Sequence, residues 1–221
     1  MSVRRKAERF LLLGSAVLLG ICLSFFFSSR ALGDPGTART SASDDKALPA
    51  GDVPNPDAVD FTLWSPARVK AYRASLVLKT DPPIGVLIIP RLKLTVPVFE
   101  GSDDETLDRG AGRVKGSVMP GEAGNLAIAG HRDGFFRVLK NIAAGDRIQV
   151  ESRQGTYTYV VAKTRIVDRK DVRVLAGRPG ATMTLITCYP FYFVGHAPRR
   201  FIVMATLKSQ VHVQPARASQ P

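Results

Sequence analysis

The chain has 221 residues, 45% of them hydrophobic, and a formal charge of +12 at pH 7. This length provides for one domain with a substantial core and additional segments, and it argues against two full domains. The only cysteines, Cys22 and Cys188, form no Cys-x-x-Cys pair and no Cys/His cluster at metal-ligand spacing, which argues against a structural zinc site.

The positive charge does not indicate a nucleic-acid-binding protein. Residues 61–221 contain 24 Lys and Arg against 12 Asp and Glu, so the bulk of the chain is basic. These basic residues are scattered, and no nucleic-acid motif accompanies them. We therefore expect no nucleic acid among the partners, and consider anionic lipid headgroups or acidic envelope proteins the better match.

The N-terminal segment has the composition of a membrane anchor. The 20 residues between Arg9 and Arg30 carry no charge, and a helix needs roughly 20 apolar residues to cross a bilayer. Basic residues precede this run, so residues 1–30 are predicted to be a cytoplasmic basic stub and a transmembrane signal-anchor. The protein would then be a single-pass protein of the cell (inner) membrane, with its remaining residues on the periplasmic or extracellular side. A cleaved signal peptide, with small residues in "SRALGD", remains the alternative.

A linker and a short helix follow the anchor. Residues 31–63 are rich in Pro, Gly, Ser, Ala and Asp without an apolar period, which predicts a flexible stalk. Ser65 is a suitable N-cap residue with Pro66 at the first helical position, so a short helix is predicted to lead into the domain.

The rest of the chain is predicted to be mostly β. The hairpin in residues 146–167 should turn near Gln154 and Gly155. "DGFFRVLKNI" is predicted to be helical, "DRKDVRVL" to form a single turn, and residues 209–221 to form a frayed tail. Many short strands with few helices favour a closed barrel or a sandwich. The remaining predicted strands are "GVLIIP", "LKLTVPVFE", "NLAIAG", "ATMTLITC" and "RFIVMATL".

Cys188 stands at the end of the apolar run "TMTLIT". In the predicted topology a membrane and a long linker separate it from Cys22, so the two form no disulfide. An unpaired thiol in an oxidising compartment favours a chemical role for Cys188. A buried core thiol is equally compatible with this evidence alone.

A histidine and an arginine occupy places that would suit thiol catalysis. His131 follows the run "NLAIAG", so two strand ends would bring an imidazole and a thiol to one rim of a barrel. For His196 and His212 a solvated or locally hydrogen-bonded role is the better interpretation. Arg199 and Arg200 begin the strand after Cys188, and a guanidinium there would stabilise an oxyanion. Their side chains point to opposite faces of a strand, so only one can face the thiol.

These residues belong to motifs that together resemble the sortase family, in particular the class D-like sortases. The resemblance covers residues 64–207, most of the predicted exported part. Any one motif alone would be weak evidence, but their combination is highly specific. The motifs are "RLKLTVPVFEG", "TLDRGAG", "PGEAGNLAIAGHRD", "TLITC" and "CYPFYFVGHAPRRFIV".

The resemblance implies a closed eight-stranded sortase-type β-barrel over residues 64–208 and a cysteine transpeptidase activity. Cys188 matches the nucleophile, His131 the general acid/base, and Arg200 the arginine that holds the substrate carbonyl and its oxyanion. A shift of one residue would exchange Arg200 for Arg199. Thr187 and Tyr189, which flank the nucleophile, are predicted to bind substrate.

The implied reaction cleaves a sorting signal of the Leu-Pro-x-Thr-Gly or Leu-Pro-x-Thr-Ala type after the threonine. A thioester to Cys188 would pass the protein to an amine acceptor, either a peptidoglycan precursor or a protein lysine. Proteins with a C-terminal sorting signal are thus the expected partners, and no metal or organic cofactor is expected.

The sequence leaves open the roles of several residues and two other classes of protein. Asp133 either caps the predicted helix or orients His131, and the cap is the favoured interpretation. Tyr189 and the aromatic residues at 191–193 either line a groove or pack their own loop, and packing is somewhat favoured. An L,D-transpeptidase fits poorly, because "LITCYPF" lacks the His-Gly that typically precedes the cysteine in such enzymes. An inactive, membrane-anchored envelope assembly module would instead bury Cys188 as an unreactive thiol.

Overall fold

A computed structural model describes residues 55–193 and 195–212, which fold around a β-barrel. The strands are β1 Gly85–Ile89, β2 Leu94–Glu100, β3 Ala111–Arg113, β4 Gly124–Ala129, β5 Arg147–Ser152, β6 Gly155–Asp168, β7 Ala181–Tyr189 and β8 Arg199–His212. The helices are α1 Pro66–Ser75 and α2 Asp104–Arg109, with 3₁₀ helices at Pro56–Ala58, Pro90–Leu92, Phe135–Asn141 and Val172–Leu175.

The strands close into a barrel in the order β1-β2-β3-β4-β7-β8-β6-β5, with β5 paired to β1. The pairs β2–β3 and β4–β7 are parallel, and the other pairs are antiparallel. Because β4 and β7 run in the same direction, their C-terminal ends lie at the same edge of the sheet. The predicted mostly β, closed eight-stranded barrel is confirmed.

Alternating side chains fill the barrel. In β6 the apolar residues Tyr157, Tyr159 and Val161 are buried and the residues between them are less so, as expected for a strand with one face inward. The same alternation turns Met183 and Leu185 of β7 into the core. Among the largest fully buried side chains are Tyr159, Phe136, Leu87, Ile89, Leu126, Ile128 and Ile148.

Helix α1 begins as its sequence predicts. The Ser65 hydroxyl accepts a hydrogen bond from the backbone N–H of Arg68 at 3.2 Å, and Pro66 occupies the first turn. Each satisfies or avoids a backbone donor that the start of a helix leaves without a partner. The Ser65 backbone N–H also donates to the carbonyl of Asp133 at 3.2 Å, which ties this end of α1 to the loop after β4.

The favoured interpretation of Asp133 as a helix cap is wrong. The segment that follows is a 3₁₀ helix, Phe135–Asn141, whose N-cap position is Gly134 and which has no side-chain cap. The Asp133 carboxylate instead accepts hydrogen bonds from the Ser65 hydroxyl at 2.8 Å and from Arg68 Nε at 3.2 Å. These longer-range partners use the acceptor oxygens that a local cap would have needed.

Four elements were not predicted from the sequence: β3, α2 and the 3₁₀ helices Pro56–Ala58 and Pro90–Leu92. The hairpin between β5 and β6 turns at residues 153–154, close to the predicted position. The short segment Val172–Leu175 forms the single turn expected of it, with Asp171 as its cap.

The domain extends beyond both predicted boundaries. Phe61, assigned to the stalk, packs its ring against Trp64 at 5.1 Å and Tyr72 at 5.7 Å. Residues 209–212, assigned to the tail, continue β8 and pair with β6 up to Gly155 opposite His212. The predicted transmembrane segment and residues 213–221 lie outside the described residues. Within 55–193 and 195–212, no helix combines the length and apolar character that a membrane crossing requires.

Candidate active site

Cys188 and His131 stand at the common edge formed by the ends of β7 and β4. The parallel register pairs Ala129 with Ile186. Beyond that pair, the Gly130 N–H donates to the Ile186 carbonyl at 3.1 Å. Continued by two residues, this register sets His131 level with Cys188. The backbone positions of His131 and Cys188 thus lie at the same end of the two paired strands, as the sequence predicts.

Gly130 explains the tight approach of the strand to the helix behind it. A β-carbon at this position would lie 2.6 Å from a ring atom of Phe136, closer than packed atoms allow. Phe136 is fully buried in the core. The glycine before His131 therefore lets the 3₁₀ helix pack against the end of β4. This packing fixes the backbone position from which the His131 side chain extends.

Arg200 is the arginine that faces Cys188. The antiparallel register of β7 and β8 pairs Cys188 with Arg200 and Tyr189 with Arg199. Directly opposite residues of a ladder project to the same face, so the two arginines lie on opposite faces of the sheet. Arg200 is partly buried and Arg199 exposed.

The Arg200 guanidinium has capacity left for a substrate. Its Nη1 donates to the carbonyls of Ala197 at 3.3 Å and Arg199 at 3.1 Å. In the described part of the chain it makes no ion pair with a carboxylate. An arginine has five N–H donors, so several remain for an oxygen placed beside Cys188.

Thr187 does not lie where a substrate could reach it, contrary to the sequence prediction. Its side chain is only 2% exposed, because the alternation of β7 turns it to the face opposite Cys188. Its hydroxyl donates to the Gly130 carbonyl at 2.7 Å. Thr187 therefore braces the residue that precedes His131.

Tyr189 packs behind the site rather than over it. Its ring stacks on Phe201 at 6.4 Å and meets Phe191 edge-on at 5.9 Å. In the same loop, Tyr192 and Phe193 are exposed, at 68% and 45%. The packing interpretation thus describes Tyr189 and Phe191, and the two exposed rings are the ones available to a ligand.

His131 lies in a network of charged residues that sequence reasoning missed. Its Nε2 is 3.4 Å from Oδ1 of Asp108, and its side chain is 18% exposed. Arg68 donates to the same Oδ1 of Asp108 and, through Nε, to Asp133 at 3.2 Å. The "TLDRGAG" motif contains Asp108, but nothing in its spacing indicated a histidine partner.

Burial is the main cause that lowers the pKa of His131 below its ordinary value of 6.5. The Arg68 charge lowers this pKa further, while the carboxylates of Asp108, Asp133 and Asp104 raise it. Removal from water penalises the charged imidazolium, and a nearby anion offsets that penalty. The neutral ring is therefore favoured beyond its ordinary range, with anions in place to support a proton when it arrives.

Arg132, next to His131, holds the loop between β7 and β8. Its guanidinium donates to three backbone carbonyls of that loop, those of Pro190 at 3.4 Å, Phe193 at 2.9 Å and Gly195 at 2.7 Å. The guanidinium also lies over the ring of Phe193, 5.7 Å from its centroid. Sequence reasoning did not single out this residue, which links the histidine segment to the cysteine segment.

The other two histidines are exposed, unlike His131. His196 is exposed in the loop between β7 and β8, and His212 ends β8 with its ring 6.1 Å from that of Tyr157. Among the residues that the structure describes, no group of three or more His, Cys, Asp or Glu side chains is arranged to hold a metal ion.

Comparison with known proteins identifies the family of the chain. Residues 87–208 match the family model for the sortase domain. Sortase D of Bacillus subtilis is 36% identical over 132 residues, which cover 59% of this chain and 67% of that protein. Sortase A of Listeria monocytogenes is 28% identical, and the match spans 60% of its length. The chain thus covers about two thirds or less of these relatives.

Solved structures show the same fold. A Clostridium perfringens sortase D5 transpeptidase superimposes with a TM-score of 0.54 at 25% identity, covering 67% of this chain and 91% of that one. The match to the sortase family model over residues 87–208 includes both strand ends that carry Cys188 and His131. The chain belongs to the sortase family of cysteine transpeptidases.

Proposed function

We propose that this protein is a membrane-anchored sortase. It cleaves a Leu-Pro-x-Thr-Gly or Leu-Pro-x-Thr-Ala sorting signal of a substrate protein after the threonine and transfers that substrate protein to an amine. The observation that carries this proposal is the convergence of Cys188, His131 and Arg200 at one edge of the barrel. Membership of the sortase family supports the reaction class.

In the first step the Cys188 thiolate attacks the threonine carbonyl. Its oxygen gains negative charge, which the Arg200 guanidinium stabilises from the same face of the sheet. His131, as the imidazolium, gives its proton to the departing amine as the carbon–nitrogen bond breaks. The product is a thioester between Cys188 and the threonine.

In the second step an amine attacks the thioester. His131 takes a proton from the incoming nitrogen as the new amide bond forms, and the carbon–sulfur bond breaks to regenerate the thiolate. A peptidoglycan precursor or a lysine of another protein would supply the amine. Water in its place would make the same site a slow protease.

An apolar surface beside the thiol suits the leucine and proline of the signal. Ile186 shares the Cys188 face of β7, and Ala129 lies opposite it on β4; both are half-buried. The loop after β6 is fastened over these strands by a hydrogen bond from Asn125 Nδ2 to the Val174 carbonyl at 3.1 Å. The exposed apolar side chains Val172 and Leu175 lie in that loop, and in this proposal they extend the apolar surface that receives the leucine and proline.

Residues 1–30 supply the anchor in this proposal. Their basic start followed by the uncharged run of 20 residues supports an N-terminus in the cytoplasm and a catalytic domain on the periplasmic or extracellular side. Protease treatment of intact spheroplasts tests this orientation. Digestion of the domain supports it, whereas protection until the membrane is permeabilised contradicts it.

The catalytic proposal is tested by turnover of fluorogenic Leu-Pro-x-Thr-Gly and Leu-Pro-x-Thr-Ala peptides by the full-length protein. Cleavage after threonine that disappears in Cys188→Ala is the expected result. An inactive assembly module would cleave neither peptide and would also resist alkylation at Cys188. The partial exposure of Cys188 favours the enzyme over that module.

A further inference from the structure

The environment of His131 contains a polar atom that the reaction just described does not explain. Nε2 of His131 is buried and has no hydrogen-bond partner within the described residues. Buried nitrogens are nearly always hydrogen-bonded, so an exception at a functional histidine requires a reason. The nearest carboxylate oxygen, Oδ1 of Asp108, is 3.4 Å away. Hydrogen bonds of a catalytic site are often long in the free enzyme and shorten when substrate binds.

Asp108 is held in place from two sides. It lies in α2, and Arg68 of α1 donates to Oδ1, the oxygen that faces His131. Arg68 is itself fixed by its bond to Asp133, which accepts from Ser65 at 2.8 Å. The carboxylate therefore keeps one position relative to the imidazole, as an orienting group must.

The charges around the ring are arranged so that its protonation can change. The charged groups that face His131 are Asp104 and Asp108 from α2, Arg68 from α1 and Asp133 from the loop after β4. The three carboxylates favour the imidazolium, whereas burial and Arg68 oppose it. Asp108 is the carboxylate closest to the ring and is thus the main anion offsetting burial.

We propose that Asp108 is a positioning residue for His131, with Arg68 holding its carboxylate in place. Nε2–H donates to Asp108 and fixes the tautomer, so that Nδ1 is the nitrogen that exchanges protons in the reaction. Nδ1–H protonates the departing amine as the carbon–nitrogen bond breaks, and Nδ1 accepts a proton from the incoming amine as the thioester carbon–sulfur bond breaks. This role rests on the proposed sortase function.

The tautomer of His131 can be read in the wild-type protein. The full-length chain has three histidines, so selective labelling with ¹⁵N and ¹³C histidine gives three sets of signals, which His131→Gln assigns. The neutral ring should carry its proton on Nε2. A neutral ring protonated on Nδ1 would overturn the proposal, and this measurement needs neither activity nor a variant at Asp108.

Asp108→Asn tests the charge of the positioning residue. We expect the NMR pKa of His131 to fall, because the anion that supports the imidazolium is lost. For peptide cleavage, kcat should fall by about 10- to 100-fold with KM unchanged, the scale of loss when a metal-binding histidine loses the partner that orients it. Asp108→Glu, which keeps the charge, should recover part of the lost kcat.

Glu105→Gln is the matched control, since Glu105 is an exposed acid on the same helix. It should leave the His131 pKa and kcat at wild-type values. Wild-type values of both in Asp108→Asn would refute the positioning role. A wild-type protein that forms no acyl adduct would instead refute the proposed function, and the NMR results would still decide the role of Asp108.

Discussion

At the residue scale, the two adjacent arginines at the start of β8 occupy opposite faces of the strand. Arg200 lies across from Cys188 and Arg199 across from Tyr189. The sequence could narrow the choice to this pair because alternation in a strand allows only one of them to face the thiol. The register of the ladder then distinguishes them, and register depends on how β7 and β8 pair.

Arg200→Ala should lower kcat for peptide cleavage by about 10²- to 10³-fold, the usual effect of removing one oxyanion donor. Arg199→Ala is the matched control, because it removes the same group from the opposite face. We expect it to stay close to wild type in the same steady-state assay. An equal loss in both variants would show that general charge, rather than a donor beside the thiol, is what matters.

His131 should make the folded protein sensitive to mild acid. Its pKa is lower in the folded state than the ordinary 6.5, mainly through burial. Between that lowered pKa and pH 6.5, the unfolded chain therefore binds more protons than the folded protein. Stability therefore falls as pH falls from 6.5 through the lowered pKa. Urea unfolding at a series of pH values should show this slope, and His131→Gln should flatten it.

His196→Gln, at an exposed position, is the control for that series and should keep the wild-type slope. An unchanged slope in His131→Gln would mean that burial of this ring is not linked to folding. The carboxylates with lowered pKa, such as Asp133, act at lower pH because their ordinary value is 3.8.

The residues of the catalytic site were predictable to different degrees. Cys188 and His131 could be found because each stands at the end of an apolar run in the sequence. Asp108 and Arg68 could not, because they come from two short helices whose packing around His131 is set by tertiary contacts. Thr187 was misjudged because proximity to Cys188 in sequence does not place it on the same face of β7.

At the scale of elements, the parallel pairing of β4 and β7 positions the thiol and the imidazole. It needs no direct turn between the strands, because the hairpin of β5 and β6 lies between them in sequence. Strands with a clear alternation, such as β6, were predictable. β3 has only three residues, too few to show an alternating pattern. The sequence predicts a tail at the end of β8 because its exposed, mostly polar residues form no apolar face.

The loop between β7 and β8 should depend on Arg132. Arg132→Gln removes a guanidinium that binds three carbonyls of this loop, so its backbone amides should exchange with deuterium faster. Because the loop joins Cys188 to Arg200, peptide cleavage should slow as well.

Arg147→Gln, an exposed arginine on β5, is the control for the exchange measurement. Its amide exchange in the loop should match the wild type. If exchange in Arg132→Gln also matches the wild type, the loop is held by the aromatic packing of Phe191 and Phe201 instead.

For the whole molecule, the packed part of the chain includes residues before Trp64. Phe61 packs on Trp64 and Tyr72, so the ordered domain begins before the predicted stalk has ended. This boundary was not predictable from composition, since a proline- and aspartate-rich segment gives no sign that one aromatic residue within it packs. The packing of the catalytic domain therefore includes contacts made by this segment.

The most direct test of the account is mass spectrometry of the full-length protein after incubation with a Leu-Pro-x-Thr-Gly or Leu-Pro-x-Thr-Ala peptide. We predict an adduct on Cys188 whose mass is that of the peptide up to its threonine, absent in Cys188→Ala and released when an amine is added. A folded protein whose Cys188 carries no adduct with either peptide would contradict the proposed signal, and an adduct elsewhere would contradict the nucleophile.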